Sequence, residues 1–354
     1  MTSKKWDINQ ETNPNKKGTV MSNGKKILLR DMIFCVILAT LFMMVGAIFP
    51  IISIPMIVVA NLPMFYLSVR YDLRVSAGCT LIILILFILV TGDVLSVFIS
   101  GAMSLLPGIV MGRALTGKFS FATIIIAGAG VFLFGFLLQL ILLNASGNGT
   151  GIEDLVNQSL ENVRRMGDET FSLLNQQGIA ESQEIQKVWN GAVSRVREII
   201  FLYLPAFFIG ASTILSYFVL MAGIFVLHRT RTKRIIYRPF WGFVASRSMC
   251  HLTMILFLIT TFSFDSTIWT AALKNMTVLL YGCFGICGFS FIDYKLRKKV
   301  PSGYARSVIY LATMFVTYFF AGILFRGLCI LGMLDSVFGF RRFYKVGEKY
   351  DQNQ

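Results

Sequence analysis

Phe121-Ala-Thr-Ile-Ile-Ile-Ala-Gly-Ala-Gly-Val-Phe-Leu-Phe-Gly-Phe-Leu-Leu-Gln-Leu-Ile-Leu-Leu143 contains no charged side chain, and only Thr123 and Gln139 are polar. As a helix this stretch would reach roughly 35 Å, enough to cross a hydrocarbon layer about 30 Å thick. Inside lipid a segment must satisfy its own backbone polar groups, which leaves a helix or a closed barrel. Its apolar residues are continuous rather than alternating, so the helix is the element expected.

Blocks of the same kind recur outward from it, at residues 27–49, 51–69, 75–91, 94–111, 199–227, 248–262, 268–294 and 307–340. Short basic clusters separate them: Arg70 and Arg74, Arg113 and Lys118, then His228, Arg229, Arg231, Lys233, Arg234 and Arg238, then Lys295, Arg297, Lys298 and Lys299. With the N-terminus inside, each cluster falls on the cytoplasmic side, as the positive-inside rule expects. Pro239-Phe-Trp241 follows the most basic loop as an aromatic interfacial anchor. The last block leaves the count open between about eight and nine spans. Crossing once, it would put Arg341, Arg342 and Lys345 outside. It is also long enough to cross, break near Gly327, and leave a re-entrant or interfacial second half.

Composition agrees with lipid as the solvent: 55% of residues are apolar and 14% charged, against about 25% charged in soluble domains. The net charge of +15 sits at the ends of apolar blocks, where it can meet anionic headgroups. It forms no basic stripe interleaved with exposed aromatics, so nucleic-acid binding is excluded. Residues 1–26 are polar and lysine-rich and read as a disordered cytoplasmic tail rather than a signal peptide. The six cysteines lie in or beside apolar blocks and give neither a disulfide framework nor zinc spacing; Cys283 and Cys287 share a helix face at i, i+4 and read as packing residues.

The expected fold is all-α: a polytopic transmembrane helix bundle with a helical extracytoplasmic segment between two bundles. Its boundaries are a tail at 1–26, a five-span bundle at 27–143, the outer segment at 144–198, a three- or four-span bundle at 199–340, and a basic tail at 341–354. The outer segment opens on the flexible run 144–151. It then shows two amphipathic patterns, Ile152, Leu155, Val156, Leu160 and Val163, and Ile185, Val188, Trp189, Val193 and Val196. These predict one or two helices lying on or capping the outer face.

No motif for nucleophilic, metal or phosphate chemistry is present, so no enzyme, cofactor or metal is expected. His228 and His251 are the only histidines, in the basic loop and beside Cys250. Polar groups inside spans are costly and mark protein-facing or cavity-facing positions. Asn61, two residues before Pro63, either offers an amide to a polar solute beside a broken helix or bonds a neighbouring helix. Arg326 lies deep in the last block and lines a cavity, pairs with a carboxylate, or marks a helix break. Asn275, beside Lys274, and Asp93, near an outer span end, complete the candidate ligand-binding set of Asn61, Arg326, Asn275 and Asp93. Gly108 and Gly112, and Gly282, Gly285 and Gly288, form small-residue stripes for close helix packing.

Four stretches give the chain a resemblance: Leu62-Pro-Met-Phe-Tyr-Leu-Ser-Val-Arg-Tyr71, Leu106-Pro-Gly-Ile-Val-Met-Gly112, Tyr237-Arg-Pro-Phe-Trp241, and Gly332-Met-Leu-Asp-Ser-Val-Phe-Gly-Phe-Arg-Arg342. Over roughly residues 28 to 345 it resembles the YybS-like family of multi-pass membrane proteins, found mainly in Gram-positive (Firmicutes-type) bacteria. The tail before residue 27 and the Ser-Val after Asp335 depart from that pattern. The N-terminal half is similar to the substrate-binding membrane subunits of energy-coupling-factor transporters, which bind a small solute from outside and dock a partner through small-residue helix faces. The resemblance implies a plasma-membrane protein that binds a small solute, contacts membrane lipid and works with a membrane or cytoplasmic protein partner in transport. The alternative is a structural scaffold of the cell envelope, of the shape or sporulation kind, with 144–198 and 228–238 as docking surfaces.

Overall fold

A computed structural model of the chain describes residues 14–117, 119–145, 151–176, 182–230, 232, 242–262, 268–300, 305, 309 and 321–341. The aromatic anchor at 239–241, most of the basic loop before it, the first half of the last apolar block and the tail beyond Arg341 lie outside the described residues. Among the described residues no strand occurs, and seven helical stretches, Val94–Thr116 taken as one, are long and apolar enough to cross a membrane. The all-α polytopic bundle read from the sequence is the fold.

The chain divides into two compact units. The first takes residues 1–139 and 212–235. It contains α1 (Pro14–Ile48), α2 (Ser53–Arg70), α3 (Leu73–Thr91), α4 (Val94–Ser104), α5 (Leu106–Thr116) and most of α6 (Phe121–Ala145). It also holds the last part of a long helix, α8 (Ser182–Arg229). The division differs from the expected five-span bundle, because the C-terminal end of α8 packs with the first unit. Val219, Leu220, Ile224 and Leu227 join Phe65, Met111 and Phe132 in one buried apolar cluster.

α1 is already helical at Pro14, where composition suggests a tail without structure up to residue 26. α2 lies against α1 and α5. α3 ends on Gly92, whose φ of 72° lets its N–H bond the Ile88 carbonyl at 2.8 Å. Such a left-handed cap is open to glycine without strain. The fourth expected span is two helices: Leu105 leaves the helical region at φ −127°, ψ −43°, and α5 starts with Pro107 in its first turn. Proline lacks the N–H that the Met103 carbonyl would need, so the helical ladder cannot run through this point.

The second unit takes residues 140–211 and 236–354. It contains α7 (Ile152–Gln176), the first part of α8, α9 (Arg247–Phe262), α10 (Ile268–Lys299) and α11 (Ala321–Phe338). The second amphipathic stretch of the outer segment is not a separate surface helix. It is the start of α8, which continues as one helix from Ser182 into the expected span and carries Pro205 within it. No glycine or proline stop separates Glu198 from Ile199, so the solvent preference changes while the helix continues. At roughly 70 Å, α8 is about twice the length a bilayer core requires. α7 pairs antiparallel with its first part, as an αα-hairpin. Arg197 meets Glu153 at 2.8 Å, Gln186 donates to Asp168 at 2.7 Å, and Trp189 packs edge-on against Phe171 at 6.5 Å.

α10 and α11 run in the same direction. Phe325 packs edge-on against Tyr281 at 6.3 Å, Gly288 meets the Leu328 backbone further along, and Phe340 packs on Phe291 at 6.1 Å beyond that. Lys299 and Ala321 are therefore at opposite ends of the pair. Of the two readings of the last block, the one with a break near Gly327 is not seen: α11 continues through that residue to Phe338. At Gly339, with φ 64°, the chain turns back. Arg341, expected at the start of a basic tail, is buried against α10 instead.

Candidate functional site

Asp31 is 9% exposed, a buried acid of the first unit. Its Oδ2 lies 2.7 Å from the Arg70 guanidinium and accepts hydrogen bonds from Tyr71 at 2.9 Å and Tyr66 at 3.3 Å. Arg70 also donates to the Tyr66 hydroxyl and stacks over both rings, 5.6 Å from Tyr66 and 5.5 Å from Tyr71. Three of these four residues come from the 62–71 stretch, where α2 ends. Burial and the hydrogen bond to Asp31 push the Tyr71 phenol up to about 12, so it stays a proton donor at neutral pH. Arg30 is 77% exposed and 3.6 Å from the other Asp31 oxygen.

A cavity of about 540 Å³ opens beside this cluster. α1 lines it with Arg30, Asp31, Phe34, Cys35, Leu38 and Phe42, α2 with Val59, Leu62, Pro63 and Tyr66, and the end of α8 with Val226 and Thr230. α1 and α2 are antiparallel, so the charged and hydroxyl groups gather at one end and Phe42 and Val59 mark an apolar end. The cavity thus combines an apolar body with a polar mouth, the usual make-up of a ligand pocket.

The residues singled out from the sequence take other positions. Asn61 is fully buried and its amide is fully used. Nδ2 donates to the Ile57 carbonyl at 2.8 Å and the Met103 carbonyl at 3.0 Å, while Oδ1 accepts from the Gly108 N–H at 2.7 Å. The break it serves is thus at Pro107 of the neighbouring helix pair, not at Pro63 of its own. Asn275 repeats the device in the second unit at Pro205. Its Oδ1 accepts from the Ala206 N–H at 2.9 Å, and its Nδ2 donates to the Leu202 carbonyl at 2.7 Å and the Ala271 carbonyl at 2.8 Å. Leu202 and Ala206 are the pair an uninterrupted helix would bond directly; here one amide bridges them.

Asp93 is an exposed N-cap for α4, accepting from the N–H groups of Leu95 at 3.0 Å and Ser96 at 3.2 Å. Hydrogen bonds from Ser96, then Leu95, hold its carboxyl below the usual range. Arg326 is exposed on α11 among the described residues. Asn61 and Asp93 belong to the first unit, Asn275 and Arg326 to the second. In the first unit Asn61 is buried where α2 meets α5, and Asp93 is exposed at the start of α4.

The glycine stripes divide. A Cβ on Gly108 would strike the Asn61 carbonyl oxygen, and one on Gly112 the Ser68 hydroxyl; both glycines let α5 approach α2 backbone to backbone. Gly288 and Gly332 do the same for α10 and α11, against the carbonyls of Leu328 and Phe284. A Cβ on Gly285 would come within 2.9 Å of the Phe325 ring. Gly282 meets nothing within 4 Å among the described residues, so it is not part of that contact.

The end of α11 carries a second buried charge. Arg341 Nε lies 2.8 Å from Asp335 Oδ2, its Nη1 donates to Ser290 at 3.0 Å, and its Nη2 to the Cys287 carbonyl at 3.3 Å. Its guanidinium also lies 5.8 Å from the ring centres of both Phe291 and Tyr294. A buried arginine held this way is part of the fold rather than a headgroup contact, which removes it from the charge count that made the last block ambiguous.

Sequence reasoning missed Asp31 and the pocket wall. The available signal was an acid within the basic cluster that opens the first span, followed by Phe34, Leu38 and Phe42 at four-residue steps. No curated protein and no solved structure matches the chain. The family description that does match covers residues 36–336. It takes in α2 and α5 with their splinted break, the Asn275 bridge and all of α10. The chain belongs to the DUF2232 family of predicted membrane proteins.

Proposed function

We propose that this protein is a small-solute-binding membrane subunit that serves transport with a partner protein, and that its solute occupies the pocket between α1, α2 and the end of α8. The observation that supports this reading is the cavity itself. Its size, about 540 Å³, falls within the roughly 300–1,000 Å³ of small-molecule sites, and its few polar groups converge at one end. In this reading Asn61 and Asn275 hold helices in place and the solute contacts fall to the walls of the pocket. The protein sits in the plasma membrane with its N-terminus cytoplasmic, an orientation the basic clusters support. No reaction is assigned to it.

The test is ligand-induced thermal stabilisation of the purified protein across a metabolite panel, together with uptake by cells. Leu38→Trp should abolish both, since the indole would obstruct the cavity between its Asp31 and Phe42 ends. Retention of both with Leu38→Trp would reject the assignment.

A scaffold role in the envelope has one observation in its favour: the hairpin of α7 and α8 exposes Met166, Leu173 and Val188 at 67%, 59% and 72%. Removal of residues 150–195 separates the readings. A scaffold loses its localisation or partners, while a solute-binding subunit keeps its ligand.

A further inference from the structure

Resting on the solute-binding reading, we propose that the pocket takes one acyl chain of an anionic phospholipid, with the headgroup phosphate at Arg30. The pocket has the dimensions and polarity of such a ligand. Along α1 its wall runs from Arg30 to Phe42, roughly 18 Å at the helical rise. All of that length beyond the first turn is apolar, through Phe34, Leu38 and Phe42, and the facing wall offers Val59 and Leu62. A compact polar solute would leave this body unfilled and would find no hydrogen-bonding group deep in it. A chain of methylenes fills it and gains the hydrophobic transfer of each buried CH₂, about 0.8 kcal/mol.

The mouth fixes the sign of the head. Asp31 is balanced by Arg70 at 2.7 Å and further committed to two tyrosine hydroxyls. Arg30 is then the charge in excess. Its guanidinium is largely exposed and 3.6 Å from the nearest acid oxygen. Guanidinium groups suit phosphate through paired N–H donors. Phe34 is 63% exposed, so the side of the groove opens laterally. A lipid can enter along the bilayer without leaving it. The polar end is also the end at which Arg70 closes α2, the level at which a headgroup lies.

The experiment is native mass spectrometry of the full-length protein from micelles doped with equal phosphatidylglycerol and phosphatidylcholine. Wild type should retain phosphatidylglycerol in preference. Arg30→Gln, a change at an exposed side chain, should cut that preference about fivefold, the weight of one arginine near an anionic surface. Arg326→Gln, at an exposed arginine of the second unit that does not line the pocket, should leave it unchanged. Leu38→Trp should lower retention of both lipids, with Leu62→Trp as the second blocking variant if the first unfolds on size-exclusion analysis. An unchanged lipid ratio in Arg30→Gln, or equal loss in Arg326→Gln, overturns the proposal. If the blocking variants release some other retained molecule while lipid stays bound, the lipid assignment fails and the solute pocket stands. If they release nothing, both fail.

Discussion

Asn61→Leu tests whether a buried amide is what allows the helix break at Pro107. Leucine keeps the branched shape of the side chain but is bulkier, so the single change carries an overpacking cost that the double-mutant cycle below subtracts. Two backbone groups lose their partners, the Met103 carbonyl and the Gly108 N–H. A buried orphan group typically costs about 1–3 kcal/mol. Polar contacts between membrane helices average only about 0.6 kcal/mol, because the unfolded-in-membrane state also finds partners. The local geometry decides between these figures. The Gly108 N–H can turn to the Ser104 carbonyl if the chain tightens. The Met103 carbonyl cannot be rescued, because the residue that should serve it is Pro107. A loss of about 2 kcal/mol is therefore expected. Pro107→Ala supplies the missing N–H, so in that background Asn61→Leu should cost about 1 kcal/mol less, a coupling that a double-mutant cycle measures directly. The assay is reversible unfolding in mixed micelles by denaturing-detergent titration, with helicity and tryptophan emission as readouts. A penalty for Asn61→Leu that is the same in the wild-type and Pro107→Ala backgrounds would refute the splint.

The same titration should show Asn275→Leu destabilising by a similar amount, about 2 kcal/mol, since it orphans the Leu202 carbonyl and the Ala206 N–H. Gly288→Leu should cost about 3 kcal/mol or more by forcing α10 from the α11 backbone, whereas Gly282→Ala should stay within about 0.5 kcal/mol of wild type. Asp335→Ala should cost about 3–5 kcal/mol by leaving Arg341 buried without its carboxylate, while Asp335→Leu combined with Arg341→Met should recover most of that loss. Reporters fused after Lys299 and after Arg341 should map to the same side of the membrane, and one inserted at residue 265 to the other; opposite sides for the first two would contradict the parallel packing of α10 and α11.

The spans are legible because one physical constraint sets them all. A helix in hydrocarbon needs about 20 uninterrupted apolar residues, and the apolar blocks at 75–91, 248–262 and 268–294 end close to the bounds of α3, α9 and α10. Where the reading departs from the structure, the deciding partner is distant in sequence. Pro107 is visible in the fourth span, but proline alone does not say whether a helix bends or separates. The answer depends on the amide of Asn61, brought in by another helix. The start of α8 eludes periodicity for a related reason. Periodicity reports which solvent a helix face meets, and a change from water to lipid at Ile199 looks like a boundary although the backbone has none.

The candidate site shows the same limit in sharper form. A polar side chain in an apolar block signals that some group there needs a hydrogen bond, and a ligand and a broken helix make that request in the same terms. Asn61 and Asn275 answer it for proline breaks, so the cost of burying their amides is met within the fold. A pocket for an apolar ligand makes no such request. Its walls are Phe34, Leu38 and Phe42, indistinguishable by type from any lipid-facing residue, and only the antiparallel placing of α1 on α2 makes them line a cavity. What the sequence carries is the mouth: an acid, Asp31, between Arg30 and the Tyr66, Arg70 and Tyr71 of the stretch at 62–71. A buried carboxylate with an arginine and two phenols is costly to assemble at a helix end, and it leaves one further arginine beside an apolar groove. On the proposed reading, that surplus charge, more than any intramembrane amide, selects the ligand.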